Sequence, residues 1–320
     1  MTAPAVDILL ATYNGEAHLE PLLASIEAQT HSRWRLIARD DGSSDGTAAS
    51  LDMFAARHGE RVRIVRDDRG SLGARGNFAA LLDVCDGPYA MFCDQDDVWL
   101  PDKVAVTLDR MRILEAARGA DTPLLVHTDL TVVDADLTPI AASYWAYQRF
   151  VPGRTTRFNR LLVQNVVTGC ATMINAALRE RAAPIPPEAV MHDWWLALTA
   201  AAFGAIEAID RPTLLYRQHD SNDTGAKRWG WRYVARQAKA FGGAGGLGER
   251  LQRAQRQAGA FADRYGDALA PAARAAARAY ATIGRRSMLG RRGQLFRHGL
   301  WMHGRAGMSW VKNLGLLLRI

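Results

Sequence analysis

Short apolar runs and helical apolar stripes alternate through the first hundred residues. Residues 6–11 read as a buried strand, and Leu19, Leu22, Leu23 and Ile26 then recur at the spacing of one helix face. A second strand is expected at 36–38, with a helix starting near Ser44, and a third at 62–65. Phe78, Leu81, Leu82 and Cys85 repeat the stripe ahead of a fourth strand at 89–93. Such alternation predicts βαβ units and a mostly parallel sheet. Further strands are expected around a turn in 124–140 and at 166–174 and 206–216, with a helix over 193–203. The stretch 144–158, rich in arginine and aromatics, reads as loop.

Composition adds little to that picture until charge is followed along the chain. Of 320 residues, 48% are hydrophobic and 23% charged, as in ordinary globular proteins. Residues 226–320 hold 19 Lys or Arg against three acids, a net +16, while residues 1–225 hold 21 basic and 30 acidic residues, a net −9. The chain therefore reads as an acidic module, 1–225, followed by a basic helical region, 226–320. Neither a leader peptide nor an apolar run of about 18 residues is evident, so a cytoplasmic location is expected. Cys85, Cys93 and Cys170 show no paired metal spacing and read as reduced, buried thiols.

Two acidic clusters follow predicted strands. Asp94, Asp96 and Asp97 come directly after the fourth strand, where doubly wound sheets bind ligands. Carboxylates this close repel one another unless a cation or strong donors neutralise them, and their oxygens suit a hard ion such as Mg²⁺ or Mn²⁺. A solvated acidic turn is the alternative. Asp40 and Asp41 end the second strand, before a Gly-Ser turn in which Ser44 or Asp45 can cap the next helix. No G-x-G-x-x-G or Walker A loop is present, which argues against a dinucleotide enzyme or a P-loop ATPase.

Over residues 6–225 the chain resembles the family 2 glycosyltransferases, and within them the rhamnosyltransferase-like branch of bacterial surface polysaccharide synthesis. Six segments in order carry the resemblance: residues 10–15, Asp40-Asp41-Gly42-Ser43, Gly73-Ala74-Arg75-Gly76-Asn77, Asp94-Gln95-Asp96-Asp97-Val98-Trp99, His192-Asp193-Trp194-Trp195 and Tyr216-Arg217-Gln218-His219. The resemblance implies a GT-A fold, a Rossmann-like, mostly parallel α/β sheet flanked by helices, with the helical extension after it. It implies an inverting, metal-dependent hexosyltransferase that moves one sugar from a nucleotide diphosphate donor to a saccharide or lipid-linked hydroxyl. The branch points to L-rhamnose on thymidine diphosphate, with uridine-diphosphate sugars next. By the same resemblance Thr12, Tyr13, Asp40, Asp41, Arg75 and Asp94 border the nucleotide, Gly169 lies beneath the donor sugar and Trp99 walls the pocket. Asp96 ligates Mg²⁺ or Mn²⁺ with Asp94 and His219, and Asp193 is the general base. His192 stands where the family often has another acid.

The basic region mixes Lys227, Arg228, Arg232, Arg236 and Lys239 with Trp229, Trp231, Tyr233 and Phe241. Later, Arg285, Arg286, Arg291, Arg292 and Arg297 precede Trp301, Trp310 and the apolar 314–318. That mixture suits peripheral attachment to an anionic membrane surface on the inner leaflet, or a helical bundle packed on the catalytic domain. Two other functions compete. A nucleic-acid-binding protein would use the basic tail but leave the acidic constellation without a role, so no nucleic acid partner is expected. A non-catalytic nucleotide-sugar-binding module would be favoured had Asp96 or Asp193 been missing.

Overall fold

The computed structural model describes residues 4–218 and 247–300. Its strands are β1 (Val6–Thr12), β2 (Trp34–Asp40), β3 (Val62–Ile64), β4 (Tyr89–Asp94), β5 (Val98–Trp99), β6 (Leu124–Val133), β7 (Pro139–Ala141), β8 (Thr172–Asn175) and β9 (Ala205–Arg217). They form one mixed sheet in the order β3-β2-β1-β4-β8-β6-β9-β5, with β7 pairing β6 off that path. Helices α1 (Glu16–Glu27), α2 (Thr47–His58), α3 (Gly73–Val84) and α4 (Lys103–Arg118) alternate with the early strands. Short helices α5 (Tyr144–Gln148), α6 (Phe158–Leu161) and α7 (Ala176–Ala182) precede α8 (His192–Phe203). The chain continues with α9 (Leu247–Tyr265), α10 (Pro271–Ala281) and α11 (Met288–His298).

The β3-β2-β1-β4 half is parallel, as the alternating pattern predicts. Its middle strand β1 is apolar on both faces because helices cover both. Leu9, Ile37 and Phe92 face one side, with Phe78, Trp195 and the C-terminal helices. Ile8, Leu10 and Met91 face the other, with α1, α2 and α4 residues such as Leu22, Phe54 and Val104. Beyond β4 the sheet is mixed: β6 and β9 pair in parallel, while other neighbours are antiparallel. Strand β8 runs antiparallel to both β4 and β6, since it is reached through the long 134–171 excursion and not through one helical crossover. That strand is also shorter than the expected 166–174, because Gly169–Ala171 winds into a 3₁₀ turn. The 144–158 loop likewise contains α5, capped by Ser143, whose hydroxyl accepts from the Ala146 amide.

Helices α9 to α11 share the core of the sheet. Leu251, Ala258, Phe261, Tyr280 and Leu295 belong to the same apolar cluster as Leu9 and Phe92. Phe261 meets Trp195 edge-on at 5.1 Å between ring centroids, and Gln257 Oε1 accepts from the Val190 amide at 2.8 Å. All three cysteines are buried and free. Among the described residues no helix is long and apolar enough to cross a membrane.

Candidate active site

Parallel register brings the two acidic clusters to one edge. Thr12 pairs with Asp40, and Ala11 with Asp94, so the carboxyl ends of β1, β2 and β4 present both clusters side by side. Thr12 Oγ1 donates to Asp40 Oδ1 at 2.9 Å, and the Ser43 amide donates to Asp40 Oδ2 at 2.8 Å. Asp41 is buried and accepts from the Arg39 guanidinium, Ser71 Oγ and the amides of Leu72 and Gly73. Burial pushes its carboxyl up, but these donors together hold it below the usual carboxylate value. In this structure Asp41 thus ties the 71–73 turn to the end of β2 and fixes the start of α3. That helix carries Arg75, whose guanidinium donates to the Pro186 carbonyl at 3.3 Å, towards the segment leading into α8.

Gln95 joins the two strand-end loops, a role that no local sequence signal announces. Its Oε1 accepts from the Tyr13 amide at 2.7 Å and its Nε2 donates to the Tyr13 carbonyl at 2.9 Å, leaving the Tyr13 ring exposed. A Cβ at Gly15 would lie 2.3 Å from Gln95 Oε1, so glycine is what lets the amide in.

Beneath that bridge lie the three acids. Asp97 is fully buried, and its carboxyl is pushed well up by burial and by the neighbouring Asp96 and Asp94. Its Oδ2 has no hydrogen-bond partner among the described residues, and Asp94, Asp97 and Cys170 bring one potential ligand atom each within 4.8 Å of one another. Burial also pushes the Cys170 thiol well up, so the sulfur is a poor ligand beside the carboxyl oxygens. Hard oxygens crowded around an unsatisfied buried oxygen fit Mg²⁺ or Mn²⁺. Two cations flank the cluster. Lys103, fully buried, donates to the Cys170 carbonyl at 2.9 Å, and burial lowers it to about 8. Arg217, at the end of β9, donates through Nε to the Asp96 carbonyl at 2.9 Å and through its amide to Asp97 Oδ1 at 3.4 Å. Arg217 stands in the Tyr216–His219 motif with no role evident from the sequence, and no local pattern marks Lys103.

The 3₁₀ turn connects this cluster to α8. Cys170 borders the acids, and the amide of the preceding residue, Gly169, donates to Asp193 Oδ2 at 3.1 Å. Asp193 lies in the first turn of α8 and does not cap it; the cap position is Met191. Asp193 Oδ1 is sealed from solvent without a partner among the described residues. Burial lifts its carboxyl to about 7, against the opposing pull of the Trp194 and Gly169 amides and Asn165. The neighbouring His192 is buried between Phe78 and Phe92, at centroid distances of 4.0 and 4.7 Å. Burial lowers it to about 3, so it is a neutral packing ring. A Cβ on Gly169 would sit 3.0 Å from His192 Nε2 and 3.5 Å from Asp193 Cβ; the close approach that this glycine permits is to α8.

Thr12, Tyr13, Asp40, Asp94, Asp96, Gly169 and Asp193 therefore share one edge of the sheet. Trp99 does not join them: it is 2% exposed inside the core, turned inward because β5 pairs its backbone with Leu214 of β9. His219 lies outside the described residues.

The mixed sheet flanked by helices, with a helical C-terminal region, is of the GT-A type, as are the solved structures it resembles. The family model "Glycosyl transferase family 2" matches residues 7–178, and the chain belongs to that family. It is 28% identical over 231 residues to the dTDP-rhamnosyl transferase RfbG of Shigella flexneri, covering 68% of this chain and 74% of that protein. It is 25% identical over 235 residues to the putative teichuronic acid biosynthesis glycosyltransferase TuaG of Bacillus subtilis, covering 71% and 86%. Among solved structures, Staphylococcus aureus TarS 1-349 in complex with UDP-GlcNAc superposes with a TM-score of 0.51 at 13% identity, over 93% of each chain. The mannosyltransferase PcManGT of Pyrobaculum calidifontis, in complex with GDP-Man and Mn²⁺, gives 0.54 at 17% identity, over 98% of this chain and 79% of that one.

Proposed function

We propose that this chain transfers a single sugar, with inversion, from a nucleotide diphosphate donor to a saccharide or lipid-linked hydroxyl in surface polysaccharide synthesis. The observation that carries the reading is the Gly169–Cys170 turn. It holds Asp193, a carboxyl lifted to about 7, next to the Asp94, Asp96 and Asp97 cluster. A group titrating near neutrality is matched to taking a hydroxyl proton as the acceptor attacks. The Gly169 amide donates to Asp193 Oδ2 and so fixes the orientation of the carboxyl. Asp40 and Tyr13 border the base and ribose, Arg75 reaches the diphosphate, and Asp41 supports that wall from behind.

Asp96 and Asp94 would hold Mg²⁺ or Mn²⁺, with His219 completing the set. A divalent cation bound there supplies Lewis-acid stabilisation of the departing diphosphate, worth several kcal/mol. Lys103 and Arg217 fix the backbone around the acids. With one carboxylate in place as base and none assigned as nucleophile, direct displacement is the favoured course.

L-Rhamnose from dTDP is the first donor to test, because the RfbG relative bears that name, and UDP sugars come next. The assay incubates a panel of nucleotide sugars with and without Mg²⁺ or Mn²⁺, and follows nucleotide diphosphate release and thermal stabilisation. Metal-dependent stabilisation by one donor, with turnover lost in Asp193→Asn and binding kept, is the expected result. No response to any donor overturns the reading.

A further inference from the structure

We propose that Gln257 of α9 is a positioning residue for Asp193: by holding the Val190 amide it fixes where α8 begins, and so where the Asp193 carboxyl stands. Its bearing on catalysis rests on the transferase reading of Asp193; the hold itself does not.

Helix α8 does not fix its own start. Its cap position is Met191, in extended conformation, and no side chain caps the first turn. The chain enters it through residues 183–190, where Pro184, Pro186 and Pro187 lack an amide hydrogen and exclude regular helix or ladder. The backbone groups of such a segment need partners from elsewhere. Helix α9 supplies them. Arg264 donates to the Pro184 carbonyl at 2.6 Å and also to that of Ala183, and Tyr265 Oη donates to the Arg181 carbonyl at 2.9 Å. At the other end Gln257 Oε1 accepts from the Val190 amide at 2.8 Å, and Arg253 donates to the Val190 carbonyl at 3.4 Å. Both backbone groups of Val190 are thus taken up by α9, two residues before α8 starts.

The identity of residue 257 separates this hold from ordinary packing. Gln257 is fully buried, on a helix whose Ala254, Ala258 and Phe261 belong to the apolar core. Its Nε2 has no hydrogen-bond partner among the described residues. A half-satisfied buried amide destabilises, and methionine would fill a similar volume without that cost. What glutamine adds is the Val190 contact. Downstream, Asp193 Oδ2 meets the Gly169 amide at 3.1 Å and Oδ1 is sealed from solvent, an arrangement that a drifting first turn would lose. The titratable groups about Asp193 are His192, lowered to about 3 by burial, and Tyr144, whose phenol burial pushes up, with the acids beyond Cys170. Both rings are neutral near pH 7, and the acids are common to every variant compared.

The test follows wild type, Gln257→Met, Gln257→Glu, Arg253→Met and Arg264→Met by two measurements. One is the pH dependence of nucleotide diphosphate release. The other is carbon-13 NMR titration of the Asp193 carboxyl without donor, assigned with Asp193→Asn, which needs no transferase activity. Lack of turnover in wild type therefore defeats the transferase reading alone, and the titration still decides the hold. Gln257→Met should admit water to Asp193, lowering its midpoint from about 7 by at least about one pH unit in both measurements. The plateau kcat should fall about tenfold or more. Gln257→Glu, which keeps an acceptor oxygen, should hold the midpoint at or above about 7. Arg264→Met loosens α9 at the far end of the segment and should leave the midpoint in place. Should Gln257→Met not fold, Arg253→Met, at an exposed position, must move the midpoint the same way. An unmoved midpoint in the folded variant, or an equal shift in Arg264→Met, overturns the proposal.

Discussion

Asp193 carries the residue-scale predictions. Its carboxyl titrates near 7 because burial outweighs the amides that favour its anion, so the transfer rate should rise with pH through about 7 and level above it. Asp193→Asn should lower kcat by about 10² to 10⁴ with little change in the KM for the donor, measured by nucleotide release. The folded pKa lies above the usual aspartate value of 3.8, so the group costs no stability below about pH 4 and progressively more as pH rises to about 7. Asp193→Asn should therefore gain in melting temperature over wild type at pH 8 relative to pH 5. The buried His127 and His192, lowered to about 4 and about 3, change stability in the opposite sense, so the paired difference is the quantity to measure.

Lys103 belongs at this scale too. Its ammonium offsets part of the repulsion within the acid cluster, so Lys103→Met should destabilise the metal-free protein and enlarge the thermal shift produced by Mn²⁺. The acids of this site were legible in the sequence because each follows a strand in a recognisable motif. Gln95, Lys103 and Arg217 were not, because their partners lie 82, 67 and 121 residues away. Trp99 read as a pocket wall from its motif; only the pairing of β5 with β9 shows that it turns inward.

At the scale of elements, the parallel strands were readable from apolar runs bounded by helical stripes, and their ends fell within two residues of expectation. The direction of β8 was not readable, since a four-residue strand carries no sign of which way it runs. What aligns these elements into a site is the lacing of strand-end loops. Gly15→Ala should push Gln95 out of its bridge and cost both hydrogen bonds to Tyr13, about 1 to 3 kcal/mol by denaturant titration. A rise in donor KM larger than the fall in kcat would place that damage on the nucleotide side.

For the whole molecule, the step from acidic to basic composition marks no break in packing among the described residues. Helix α9 follows the compositional boundary yet lays Phe261 against Trp195, two residues after Asp193. Phe261→Ala should cost about 3 to 5 kcal/mol in unfolding experiments, in one cooperative transition and not two.

Gly169 and Cys170 also have a thermodynamic consequence. One peptide unit holds Asp193 and the next residue borders the acids, so on the proposed reading donor binding shifts the proton affinity of Asp193, and protonation of Asp193 shifts donor affinity equally. Donor association should release or capture a fraction of a proton near neutrality. Calorimetric enthalpies measured in buffers of unlike ionisation heat would register that exchange in wild type and lose it in Asp193→Asn.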